Sequence, residues 1–188
     1  MTDQPEELLR SFLHSLGIDE GDDPHLGQTP RRVTEMFREL FSGLHGDAPS
    51  PSTFAPPENS GDDAVVISAI PFQSMCAHHL LPFFGTVDVA YIPDKAMVGF
   101  GSIGRFVDHF ARRPQVQERL IAQLVEHIEE TIAPRGLLVR LRARQLCMEM
   151  RGAKKSGELI SIAARGSLID GDRRPELLRQ FESSQRPL

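Results

Sequence analysis

The chain has 188 residues, 40% of them hydrophobic, and a formal net charge of −5 from 21 basic and 26 acidic side chains. That length and apolar content fit one compact domain carrying an N-terminal extension, and they leave little room for two. The acidic balance excludes a global positive field of the kind that holds a nucleic-acid backbone, so an anionic ligand has to be met by a local arginine cluster. From Pro5 to Leu16 the residues Leu8, Leu9, Phe12, Leu13 and Leu16 recur at helical spacing, which predicts a short amphipathic helix ending at Gly17. A second helix is expected to start with Thr29 as N-cap and Pro30 as its first residue, with Val33, Met36, Phe37, Leu40, Phe41 and Leu44 on one stripe. The proline-rich stretch from His45 to Asp63 reads as a loop that separates this helical part from the remainder.

Ala64 to Ile70 and Gly85 to Ile92 read as strands, the second with Val87, Val89 and Tyr91 on one face. The first is also among the longest apolar runs and falls far short of a bilayer span. The opening Met1-Thr2-Asp3-Gln4-Pro5 carries no basic, apolar export pattern. The expectation is a soluble, cytoplasmic protein with no membrane partner. Helices follow from Ser102 to Phe110 and from Gln115 to Ile132, with Pro114 marking the start of the second. Gly136 then opens a long strand, on which Val139, Leu141, Ala143, Gln145 and Cys147 alternate with Arg140, Arg142 and Arg144. The arginine stripe reads as a barrel interior or an assembly surface, and no ligand is assigned to it. A strand from Glu158 to Ala164 and a helix from Pro175 to Phe181 close the chain.

Only two cysteines occur, a pattern that in a reducing compartment points to a metal or a catalytic thiol more often than to a disulfide. Cys76-Ala77-His78-His79 puts a thiolate and an imidazole three positions apart in a turn between strands, and Cys147 offers a second sulfur from a remote strand. Mixed Cys/His donors suit zinc, and three protein ligands leave a fourth position for water, the catalytic arrangement. By spacing alone, two buried thiols beside a surface histidine would be the plain alternative.

Four separated segments distinguish the metal site from the plain alternative. Thr29-Pro30-Arg31-Arg32, Ser74-Met75-Cys76-Ala77-His78-His79, the run Arg113 to Leu120 and the run Leu146 to Gly152 closely resemble the GTP cyclohydrolase I family, in one register from about Gly27 to the C-terminus. The resemblance implies an α+β tunnelling fold, an antiparallel sheet with helices packed on one face, assembled into a ring-shaped homodecamer with active sites at subunit interfaces. It divides the chain into a helical extension and loop, residues 1–62, and a catalytic domain, residues 63–188. It implies Zn2+ on Cys76, His79 and Cys147, with His78 as the acid/base beside it, since a histidine titrates near neutrality. Glu118 resembles the carboxylate that holds the guanine edge, and Gln117 stands where the family contacts the nucleoside. Arg32, Arg105 and Arg151 match positions that clasp the triphosphate, a task suited to guanidinium forks. The implied activity is hydrolytic opening of GTP at C8, giving formate and dihydroneopterin triphosphate for pterin or tetrahydrofolate synthesis.

The chain departs from the family pattern around that site. Ala77 replaces the usual glutamate of the Cys-x-His-His motif, and Gly99-Phe100-Gly101-Ser102 replaces Gly-Leu-Ser-Lys, so in that register the serine and a phosphate-binding lysine are missing. Gln145, expected to share a strand face with Cys147, stands where the family carries a second catalytic histidine, and an amide cannot carry a proton at neutral pH. The Thr/Ser-rich strand that follows is Glu158 to Ala164 here. Two alternatives therefore stand beside the main reading. One is a divergent enzyme that stops at the ring-opened formamidopyrimidine or takes another purine nucleotide. The other is a non-catalytic ring-forming protein with structural zinc.

Overall fold

The computed structural model describes residues 4–19, 21 and 23–184, so the first three residues of the N-terminal stretch read above lie outside it. The chain divides into two compact units, Met1–Ser42 and Gly43–Leu188. In the first, helix α1 spans Gln4–Ser15 and helix α2 spans Thr29–Leu40, and the two pack together. The expected cap on α2 shifts by one position. Thr29 is already helical, Gln28 is the N-cap without a side-chain bond, and Pro30 sits where its missing N–H costs nothing. Phe37 and Phe41, one turn apart, stack with ring centroids 5.2 Å apart.

The second unit is built on a five-stranded sheet. The stretch read as a loop contains a two-residue strand, β1 (Thr53–Phe54), which pairs antiparallel with β4 (Met97–Val98). Between them in the chain, β2 (Val65–Cys76) and β3 (Pro82–Ile92) form a long antiparallel hairpin. Helix α3 (Phe100–Ala111) follows, then strand β5 (Pro114–Gln115) and helix α4 (Gln117–Ile132). Strand β6 (Gly136–Gln145) leads directly into a single helical turn, α5 (Leu146–Glu149). Strand β7 (Glu158–Gly166) and helix α6 (Arg173–Ser183) complete the order. The sheet runs β5-β2-β3-β6-β7, antiparallel throughout except where β5 lies parallel to the end of β2.

Pro114 and Gln115 therefore do not begin the fourth helix, as the sequence pattern suggested. They pair with Met75 and Cys76, and the helix starts two residues later at Gln117. Period-two alternation sends Val87, Val89 and Tyr91 of β3 and Leu137, Val139 and Leu141 of β6 to one face. There they pack against Ile103, Phe106 and Val107 of α3 and Leu120, Leu124 and Ile128 of α4. Helix α6 lies on the other face, where Leu177 and Phe181 cover Ala90, Ile92 and Leu138.

That second face holds a buried ion pair. Arg140 Nε and Nη2 donate to Asp88 Oδ2 at 3.0 and 2.8 Å, and the two residues are only 4% and 2% exposed. Asp88 Oδ1 accepts the backbone N–H of Ala69 at 2.9 Å, at a bulge of β2 where Ala69 adopts φ +57°. A left-handed alanine costs about 1 kcal/mol or more, so this bond helps to hold the bulge. The Arg140 guanidinium also lies 5.3 Å over the Phe181 ring, which ties α6 to the same brace.

His127 of α4 meets Phe106 edge-on at 4.4 Å and Phe110 at 5.4 Å, and its Nε2 is buried without a partner among the described residues. Burial holds its pKa below the usual imidazole range against a weaker opposing pull from Glu130. His109 is lowered mainly by burial too, with Arg113 and His127 adding to the effect and Asp47 opposing it. The unfolded chain takes up a proton near pH 6.5 that the folded chain refuses, so stability is retained above that pH and lost as the pH falls below it. The thermal midpoint should drop between pH 7.5 and 5.5, and His127→Phe should shrink the drop. An unchanged drop in that variant would refute this source of acid sensitivity.

Candidate metal centre

Cys76 is the last residue of β2, and its placement follows from pairing on both sides. Its N–H donates to Leu81 O at 2.9 Å, and the N–H of Leu80 returns to Cys76 O at 2.8 Å, closing the turn that carries His78 and His79. Leu80 takes a left-handed φ of +51° to make that turn. Ala77 N–H donates to Gln115 O at 2.8 Å, so the short parallel strand β5 pins the base of the motif. Cys147 arrives from α5. The strand ends at Gln145, so the period-two argument that put Gln145 and Cys147 on one face does not apply.

The structure brings Cys76, His79 and Cys147 together, with one ligand atom from each within 4.8 Å of the others. A tetrahedral ion with sulfur bonds of about 2.3 Å needs its sulfurs about 3.8 Å apart, a separation that lies inside the 4.8 Å span of this cluster. Two thiols and an imidazole are donors that suit zinc, Cys76 and Cys147 are free thiols, and Cys76 is buried, so the residues fit the ion. Burial, first, and then the hydrogen bond to Cys76 push the Cys147 thiol pKa up, while Arg151 pulls the other way. Arg151 is thus within electrostatic reach of the cluster. His78 is exposed, its Nδ1 lies 3.7 Å from Cys76 Sγ, and its ring centroid is 6.2 Å from that of His79.

The other predicted residues fall into three places. Glu118 is exposed on the first turn of α4, where a carboxylate is favoured by the helix dipole. Its neighbour Gln117 is 2% exposed, and its side-chain amide is engaged by protein partners, including Gln145 Nε2, which donates to Gln117 Oε1 at 2.9 Å. Arg105 on α3 is exposed and donates through Nη2 to Ser102 Oγ at 2.9 Å. Ser102 is buried and also accepts the Ser52 N–H at 3.1 Å. Arg32 lies on α2 in the N-terminal unit. Sequence reasoning missed the Ser102–Arg105 and Gln117–Gln145 contacts. The first was signalled by helical i,i+3 spacing, whereas the second joins positions 28 apart and had no local signal.

A family model described as GTP cyclohydrolase I matches residues 5–182. A GTP cyclohydrolase 1 of Carboxydothermus hydrogenoformans is 44% identical over 163 residues, covering 86% of this chain and 84% of that one. One from Streptococcus agalactiae serotype Ia is 41% identical over 167 residues, 88% of each chain. Another from Lysinibacillus sphaericus is 40% identical over 182 residues, 95% of each. With a family match across nearly its whole length and relatives of this identity over most of both chains, the protein that gathers these two cysteines and a histidine belongs to the GTP cyclohydrolase I family.

Proposed function

We propose that this chain is a zinc-dependent GTP cyclohydrolase I, which opens the imidazole ring of GTP at C8 and releases formate and dihydroneopterin triphosphate. The observation that carries the proposal is the convergence of Cys76, His79 and Cys147 with His78 beside them. A zinc ion on the three ligands would supply Lewis acidity and an acidified water at C8. His78, exposed at the turn, would deliver a proton to the departing ring nitrogen and recover one at the second hydrolysis. Glu118 would accept the adjacent N–H donors of the guanine edge, while Gln117 beside it, buried with its amide bonded to protein partners, would act through its neighbours. Arg105 and Arg151 would meet the triphosphate charge that the acidic chain as a whole repels. Two waters are consumed: one opens the ring to a formamide, and one cleaves the formamide to formate. The ribose carbons then rearrange to a carbonyl that condenses with the freed amine, closing the new ring and releasing one water, so the net reaction consumes one.

Family likeness supports extending the reading to a cytoplasmic homodecamer with interfacial sites, in which residues 63–188 form the catalytic domain and residues 1–62 the extension. Incubating the zinc-loaded protein with GTP and following products by mass spectrometry tests it. Formate together with dihydroneopterin triphosphate is the expected result. Accumulation of the ring-opened formamide alone would show a member that stops early, and unchanged GTP would overturn the proposal.

A further inference from the structure

Gln145 sits at the end of β6, opposite Phe83 and two positions before the Cys147 ligand, and it is half-exposed. Its side chain is held by an amide chain that reaches the edge strand. Gln117 Nε2 lies 3.4 Å from Leu141 O, 3.0 Å from Leu159 O and 3.1 Å from Ser161 Oγ. Two of these three are backbone carbonyls, which only accept, so the NH2 end of Gln117 must face them. The Gln117 carbonyl oxygen is therefore forced toward Gln145, and only the Gln145 NH2 can answer it, at 2.9 Å. Amide orientation propagates by this logic from β7 through α4 to the end of β6. It leaves Gln145 Oε1 as the pole with no partner among the described residues.

We propose that Gln117 and Ser161 are positioning residues that lock the Gln145 amide with its carbonyl oxygen free, so that Gln145 meets the substrate as a fixed, uncharged hydrogen-bond acceptor. The inference rests on the function proposed above. Its partner would be an N–H or O–H, such as the N–H of the ring-opened formamide or a hydrogen of the incoming water. No bond to Gln145 is made or broken. Ser161 stands on β7, touches Gln117 and is assigned to neither metal nor phosphate, so it is the member of the relay to change first.

The test is steady-state conversion of GTP by the zinc-loaded full-length chain and by its Ser161→Ala and Ser161→Thr variants, with zinc content measured for each. Ser161→Ala should lower kcat by about three- to tenfold, the range expected from one hydrogen bond, with KM changed less than about twofold and zinc unchanged. Ser161→Thr keeps the hydroxyl and should restore kcat. An unchanged kcat in Ser161→Ala, or a loss that Ser161→Thr does not restore, would overturn the relay. Failure of the unmodified chain to convert GTP would instead overturn the proposed function. The relay is then decided by urea unfolding of Ser161→Ala, Gln117→Ala and the double variant. A double variant no less stable than Gln117→Ala supports it, and additive losses refute it.

Discussion

Cys147→Ala should abolish zinc binding and turnover together, with kcat falling by about a thousandfold or more, because two protein ligands cannot hold the ion that acidifies the water. The fold should survive. Cys147 is half-buried on a single helical turn, and replacing its thiol by a methyl removes little packing. Atomic absorption on the purified protein, read beside its circular dichroism, separates metal loss from unfolding, and one zinc per subunit in a folded variant would remove Cys147 from the site. The raised thiol pKa adds a second reading of the same ligand. Because burial and the adjacent Cys76 favour the protonated thiol, zinc uptake must displace a proton there, so apparent affinity should increase with pH and fall in acid.

Asp88→Ala should cost about 3–5 kcal/mol of folding stability, the largest effect expected for a substitution outside the metal cluster. It leaves the Arg140 guanidinium buried without its counter-charge and removes the acceptor for the Ala69 N–H at the β2 bulge. Urea unfolding followed by fluorescence or circular dichroism measures it, and a loss below about 1 kcal/mol would show that water or a shifted Arg140 replaces the carboxylate. Removing both charges as Asp88→Leu with Arg140→Met should recover much of the loss, since a buried pair owes its strength to two desolvated ions that need each other. Asp88→Asn should fall between, as the amide oxygen still accepts from Ala69 but no longer neutralises Arg140.

The Arg140, Arg142 and Arg144 stripe shows how far local pattern reaches. Alternation along β6 placed all three on the face away from Val139 and Leu141, as found. It could not assign their partners, which are Asp88, Glu158 and Glu149, at separations of 52, 16 and 5 residues. Those pairings exist because β3 and β7 flank β6 and α5 turns back beside it. The stripe is thus a graded set of ion pairs within the subunit, buried at Arg140 and more open at Arg144.

The sequence by itself determined the features governed by neighbours a few residues away. These are the apolar stripes of α1, α2 and α4, the two-face alternation of β3 and β6, and the metal motif, whose Cys76 and His79 are joined by one tight turn. Tertiary structure alone decided where elements stop. Strand β6 ends at Gln145 because pairing with β3 begins at Phe83↔Gln145 and pairing with β7 at Arg144↔Glu158. Beyond that point no strand remains to accept its backbone bonds, so the chain coils into α5 and carries Cys147 off the strand. Pro114 and Gln115 became strand for the converse reason, since the free edge of β2 at Met75 and Cys76 offered them partners. Periodicity reports which face a residue occupies, but backbone hydrogen bonds between distant segments set the length of a strand, and here that length positions Gln145 against Gln117 rather than alongside Cys147.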